Sequence, residues 1–412
     1  MSVKILLNNT LWSTVSHILS RGVLMLSGIL LARYLAPKDF AIYSYYQMTI
    51  VMISSYASLG MGVAASKFFA ELSVDKNNSD NVNTIIALIG ISILVSFLIT
   101  TLVFFIPNSI LASGLNISTY IFAISVLILS LNIVPSGAIL GLEKYKEATI
   151  ISLINGIICL IGVYLSINFN KIIFSIYFFI LASIVQLLGY IYLVNQSISH
   201  ISARAYLKIK SESIAKLAKF MGPLIFVSIL AASSSWILGR VILLENGEYL
   251  FSVYSIGLQW FALALFLPGM VSRVVLPRLI RGESKDNKEI LRVSCLISIV
   301  FSLIIFLIVF IFKGYIIDFY GFKYKKYENI LILFLLVAVL YAPANTLGNA
   351  IVAKLGSLLW LIVTIVWFLI LMIIFYLIYE KYNIMAVIYA QSISTFSLLL
   401  ISFLLCRKKG LI

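Results

Sequence analysis

The chain is short of charge. Charged side chains make up 11% of its 412 residues, against about 25% in a soluble domain. So few cannot cover a water-facing surface, which excludes a soluble protein. Residues that carry chemistry are also scarce. There are three cysteines and two histidines. Cys159, Cys295 and Cys406 fall in or at the ends of apolar blocks, so neither a disulfide framework nor a metal site is expected. No G-x-x-x-x-G-K-[ST] loop and no H-E-x-x-H run occurs, which excludes nucleotide hydrolysis and zinc hydrolysis by those motifs. No cofactor and no enzymatic activity are expected. The first apolar block is too long for a signal-peptide core, and no small-residue cleavage site follows it, so it reads as retained.

Carboxylates are missing from inside the apolar blocks. All fifteen acidic residues fall in loops or at block ends. A sodium or proton site in a transporter usually uses an Asp or Glu within the membrane, and none stands there.

Long apolar runs are what the chain has instead. Hydrophobic residues make up 62% of it. The runs are continuous rather than alternating, which marks helices and not barrel strands. Twelve candidate spans follow: 10–33, 40–64, 82–106, 117–140, 148–167, 172–194, 217–239, 249–276, 291–312, 329–352, 356–379 and 384–405. The connections are short and leave no room for a soluble domain.

The net charge of +15 is not a nucleic-acid signal, because no recognition motif is present and the cations sit mainly in short loops. There they set topology. With the N-terminus cytoplasmic, twenty Lys and Arg fall on the inner side and nine on the outer, with Arg21 left inside the membrane. Both termini are therefore expected in the cytoplasm. The outer loop 313–328, GYIIDFYGFKYKKYE with its preceding lysine, is the main exception. It reads as a solvated loop, with a binding site for something acidic as the alternative.

The stretch Asn8–Gln47 organises the rest. As a helix, Ser13, His17, Ser20, Arg21, Ser27 and Gly28 share one face. An Arg at mid-membrane costs about 3 kcal/mol on insertion scales, so it should face a polar interior. The helix is expected to line a cavity. The alternative is that neighbouring carbonyls and hydroxyls satisfy Arg21. His17 is either a pH-responsive group or a polar packing residue. Spans two, seven and eight also carry polar rows, with Gln47 in span two and Gln259 beside Trp260 in span eight. Amides, hydroxyls and aromatic faces suit sugars and suit helix packing too. Trp12, Trp236 and Trp360 lie near span ends and read as interface anchors.

Weak internal similarity divides the chain. Arg33 ends span one where Arg240 ends span seven. Tyr43–Ser44 opens span two where Tyr254–Ser255 opens span eight. Pro135 and Pro343 match in spans four and ten, and these two with Pro268 are expected to kink their helices. The expected fold is an all-α polytopic membrane protein of about twelve transmembrane helices. Two six-helix lobes, 1–204 and 205–412, form parallel pseudo-two-fold repeats around a central cavity.

The run Leu31-Ala32-Arg33-Tyr34-Leu35-Ala36-Pro37, followed by Asp39-Phe40-Ala41-Ile42-Tyr43-Ser44, resembles the turn between spans one and two of bacterial O-antigen flippases. These are the Wzx-type proteins of the multidrug/oligosaccharidyl-lipid/polysaccharide exporter superfamily. Gly141-Leu142-Glu143-Lys144-Tyr145-Lys146 after span four resembles theirs as well. The resemblance implies a flippase of the bacterial inner membrane, carrying undecaprenyl-pyrophosphate-linked oligosaccharide to the periplasmic leaflet by alternating access. The O-antigen polymerase and the chain-length regulator are the protein partners it suggests. A pyrophosphate is anionic, and arginine's planar fork suits phosphate oxygens. On that reading Arg21 is the central contact. Arg33 and Arg240 stand near the outer mouth, and Lys67, Arg273 and Arg278 near the inner one. A drug or cation antiporter of the same superfamily would want a carboxylate in its N-terminal lobe. A membrane glycan polymerase or ligase would want a sizeable outer loop.

Overall fold

The computed structural model describes residues 22–58, 60–74, 79–112, 117–198, 211–266, 268–269 and 284–411. All regular structure among them is helical. In chain order the helices, apart from a single turn at Asn108–Leu111, are α1 (Gly22–Tyr34), α2 (Pro37–Ser58), α3 (Met61–Val74), α4 (Ser79–Val103), α5 (Thr119–Leu131), α6 (Ile133–Gly141), α7 (Tyr145–Phe169), α8 (Ile173–Ile198), α9 (Ser211–Ala264), α10 (Ser284–Tyr320), α11 (Glu328–Lys354), α12 (Ser357–Tyr382) and α13 (Ile384–Lys408). A short 3-10 helix, Phe322–Tyr327, joins α10 to α11.

Nine spans among the described residues are long and apolar enough to cross a membrane, and ten when α2 and α3 count as one bent span. α9 contains two of the expected spans, run together across Gly247. That residue has φ 79° and ψ 178°, a conformation that only glycine adopts cheaply. The chain turns back there. Tyr254 on the second arm donates to the Ser235 carbonyl on the first at 2.9 Å, so the arms lie side by side and antiparallel. Counting the two arms separately gives eleven among the described residues; α1 is the described end of the first expected span, the rest of which lies outside them.

Two compact units divide between Ala232 and Ser233, within the first arm of α9. In the first unit, a core of Phe68, Phe69, Leu72, Ile85, Leu88, Ile139, Tyr190 and Leu193 joins α3, α4, α6 and α8. Glycine sets the closest approaches. A Cβ at Gly137 would lie 2.3 Å from the Gly62 carbonyl oxygen, and one at Gly141 would lie 2.4 Å from that of Ser66. Backbone packs on backbone between α3 and α6, as small residues allow in membrane helices. Gly162 of α7 receives Phe178 of α8, and the Ser166 and Ser175 hydroxyls bond at 2.7 Å. Gly156, in the middle of α7, receives Val23 of α1.

In the second unit, rings fill the glycine notches. Phe334 of α11 lies against Gly257 of α9, and Trp360 of α12 lies against Gly348 of α11. Trp360, in the first turn of α12, thus packs against its neighbouring helix. The Ser298 and Thr346 hydroxyls, 2.9 Å apart, tie α10 to α11.

The segment 313–328 differs from the solvated loop expected. α10 runs on to Tyr320, and the 3-10 helix follows at once. Lys313 does not end the helix because it is paired, 3.2 Å from Glu328 and donating to Asn329 at 2.9 Å. Beyond it Ile317, Tyr320 and Tyr324 are buried. Tyr249 donates to the Lys323 carbonyl and stacks on Tyr324 at 5.8 Å, which pins the segment to the Gly247 turn. At the same end Tyr379 donates to Asn246 at 2.7 Å.

The prolines act unequally. The fourth span breaks at Asn132, three residues before Pro135, which has no N–H for the Leu131 carbonyl. α9 ends at Ala264, whose carbonyl Pro268 likewise cannot serve. Pro343 is carried inside an unbroken α11.

The glycine contacts generate a test. Gly137→Ala should destabilise the protein by about 1–3 kcal/mol through overpacking and lower its thermal midpoint in detergent. Gly314→Ala, with open space around it, should leave the midpoint unchanged or raise it. Equal midpoints would contradict the backbone contact.

Candidate functional site

Four of the expected site residues, His17, Arg21, Arg273 and Arg278, lie outside the described residues. The other five divide between the units. In the first unit, Arg33 is exposed in the last turn of α1, its guanidinium 5.7 Å from the Tyr34 ring centre. Lys67 is exposed on α3, 5.5 Å from the Phe68 ring centre. The 22 residues of α2 lie between them, a length of about 33 Å. The structure therefore does not bring these two cations together. Gln47 is half-buried on α2 and donates to the Tyr43 hydroxyl at 2.8 Å.

The described end of the polar face on the first span is packed and not open. Ser27 is fully buried, and its hydroxyl has no hydrogen-bond partner among the described residues. The hydroxyl rows of other spans are also mostly accounted for. Ser228 donates to the Leu224 carbonyl at 3.0 Å, Ser252 to Glu248 at 2.8 Å and Ser255 to Phe251 at 2.9 Å. Bonding to the carbonyl four residues back satisfies a hydroxyl within its own helix. Hydroxyls of this kind add little open polar surface.

The second unit holds the more informative group. Arg240 is half-buried on the first arm of α9, with its guanidinium 5.4 Å from the Trp236 ring centre. Such a contact holds the guanidinium in place. Its Nε is buried and has no hydrogen-bond partner among the described residues. Trp236 is thus a partner of Arg240. On the second arm, Trp260 donates its indole N–H to the Tyr320 hydroxyl at 3.1 Å. Tyr320 donates in turn to the Gln259 carbonyl oxygen at 3.2 Å. The relay fixes the indole plane and leaves the Gln259 amide N–H groups for another partner. Phe261 and Tyr341 pair at 5.9 Å beside it.

Arg240 lies on the first arm seven residues before Gly247, and Gln259 on the second arm twelve residues after it. Tyr320 was missed from the sequence because the lysines around it marked a loop. The Tyr320, Phe319 and Ile317 pattern continuing past Lys313 was the signal that could have found it.

The described carboxylates fall at helix ends and turns. Glu245 and Glu248 flank Gly247, and Asp318 lies 3.7 Å from Lys325. Among the described residues no group of His, Cys, Asp or Glu could hold a metal ion.

Several solved structures of transporters share this fold. A MurJ lipid II flippase in an inward closed conformation aligns with TM-score 0.73 and 18% identity, over 98% of this chain and 89% of that one. An inward-facing multidrug resistance MATE family transporter of the MOP superfamily aligns with TM-score 0.70 and 15% identity, over 96% and 94%. A MOP superfamily transporter from Pyrococcus furiosus aligns with TM-score 0.69 and 17% identity, over 98% and 95%. The likeness extends over nearly the whole chain, and its nine or more apolar helices mark a multi-pass membrane protein. The family model described as "Polysaccharide biosynthesis protein" matches residues 6–279. This chain belongs to that family. A comparison with curated protein sequences returned no match.

Removing the central hydroxyl tests the relay. Tyr320→Phe strips the Trp260 N–H of its acceptor and the Gln259 carbonyl of its donor. Leaving such groups unpaired costs about 1–3 kcal/mol, which a detergent melt should show, together with a shift in tryptophan emission. A midpoint and a spectrum equal to wild type would remove the relay from the account.

Proposed function

We propose that this protein is a flippase. It carries a polyprenyl-pyrophosphate-linked oligosaccharide, of the undecaprenyl class used for O-antigen or a related repeat unit, from the cytoplasmic to the periplasmic leaflet. The observation that carries the proposal is Arg240, a guanidinium held over a ring with a buried N–H that no described residue accepts. A phosphate or pyrophosphate oxygen is the acceptor that such a group fits. The family and the MOP fold supply the setting, and the described spans hold no carboxylate at mid-length that would favour a drug or cation exchange site.

In this reading the arginines hold the pyrophosphate and the amides hold sugar hydroxyls. Arg21 acts at mid-depth, Arg33 and Arg240 toward the periplasmic side, and Lys67, Arg273 and Arg278 toward the cytoplasmic side. Gln47 and Gln259 serve the glycan. The protein works by alternating access in the bacterial inner membrane, with both termini in the cytoplasm and the lobes dividing near residue 204. The polymerase and the chain-length regulator act on what it delivers.

The test is surface polysaccharide at matched protein expression. Arg21→Ala and Arg240→Ala should each lower it at least about tenfold, the loss expected when about 1.4 kcal/mol or more of phosphate contact is removed. Arg240→Lys should recover only part, because an ammonium does not reproduce the fork. Wild-type levels in both alanine variants would show that these arginines are not on the path.

A further inference from the structure

α11 is the most enclosed of the described spans, yet it is open along two opposite faces. On one, Ile332, Leu336, Val339 and Leu340 are half-buried or exposed, and all four are apolar, as lipid requires. On the other, Tyr341, Asn345 and Asn349 are half-buried. They recur at four-residue steps and so share a face, about half a turn around the helix from the first. Neighbouring helices bound this second face. α12 covers one flank through Trp360 on Gly348, and α10 covers the other through Ser298 and Thr346.

The second arm of α9 closes the same face nearer the start of α11. Phe334 lies on Gly257 and Tyr341 pairs with Phe261. Residue numbers rise together along the contact, so the two helices run parallel. α9 ends at Ala264, while Asn345 and Asn349 lie one and two turns beyond Tyr341 on α11. Neither side chain has a hydrogen-bond partner among the described residues, and neither amide is sealed from the surface. Two unpaired amides turned to hydrocarbon would be costly, so this face meets water or a polar ligand.

Charge narrows the choice of ligand. No charged residue occurs in α11 between Glu328 and Lys354, in α10 between Arg292 and Lys313, or in α12 before Glu380. An ionised group would find no counter-charge there. An amide presents donors and an acceptor together, and a sugar hydroxyl is itself both donor and acceptor.

We propose that Asn345 and Asn349 form a glycan-binding site that holds sugar hydroxyls of the cargo, with the Tyr341 ring at its near edge. The site takes the uncharged part of the cargo, whereas Arg240 takes the anionic part. The identity of the cargo rests on the flippase reading, and the openness of the face does not.

Thiol labelling of the full chain in lipid nanodiscs tests this, in a background with Cys159, Cys295 and Cys406 replaced by Ala. Asn345→Cys and Asn349→Cys, made singly so that the other amide stays, should react with a charged, membrane-impermeant methanethiosulfonate. Leu336→Cys on the lipid face should not. Adding the lipid-linked repeat unit extracted from cells lacking the protein should slow both reactions about tenfold once it stands near ten times its Kd. Undecaprenyl pyrophosphate without sugar should leave both rates unchanged. No reaction at 345 and 349, or an equal reaction at 336, would overturn the open polar face. Equal slowing by the bare pyrophosphate, or none by the repeat unit, would overturn the glycan contact. The readout is binding and not transport. Protection without translocation between leaflets would remove the flippase reading and keep the site, and translocation without protection would do the reverse.

Discussion

Inside a membrane there is no water to complete a hydrogen bond, so the chain must satisfy its own polar groups. That constraint decides which polar residues here are spent and which are left. Serines along the spans donate to carbonyls four residues back, as Ser298 does to Ser294 at 2.8 Å and Ser302 to Ser298 at 2.9 Å. Tyr46 and Ser125 satisfy each other across helices at 2.5 Å. Among the described residues, Arg240 Nε is one of the buried polar atoms left without a partner. The same constraint decides where helices stop. Pro135 and Pro268 each deny a carbonyl its partner, and the helix gives way within three or four residues.

Packing solves a second problem, since between helices in lipid there is little hydrophobic drive. The first unit answers with glycine against backbone at Gly137 and Gly141. The second answers with aromatic rings seated on glycine, Phe334 on Gly257 and Trp360 on Gly348. Van der Waals contact at this closeness is what holds apolar helices that lipid would otherwise solvate equally well. α10 shows the other limit, with most of its apolar length left uncovered by the other helices. At 37 residues it is about 55 Å long, well beyond a hydrocarbon core of about 30 Å.

Much of this was legible in the sequence. The spans are long apolar runs, and their number followed from counting them, because burial in lipid leaves an unmistakable composition. The turn at Gly247 was implied by the charged residues Glu245 and Glu248 beside it. The extension of α10 was hidden because a lysine in a sequence marks a loop, while Lys313 is paired with Glu328, a partner fifteen residues on. Position near a span end likewise says nothing about whether Arg240 or Gly348 waits on the neighbouring turn or helix. The Trp260, Tyr320 and Gln259 relay needs two elements sixty residues apart to meet, which no local pattern reveals.

The central claim is movement of a lipid-linked oligosaccharide between leaflets. The most direct measurement locates that lipid in cells lacking the protein, using a membrane-impermeant sugar-modifying reagent on inverted and right-side-out vesicles. The account predicts that single repeat units accumulate on the cytoplasmic leaflet and that restoring the protein relieves the accumulation. Single units accumulating on the periplasmic leaflet would contradict it, because flipping would then proceed without this chain and the missing step would be polymerisation or ligation.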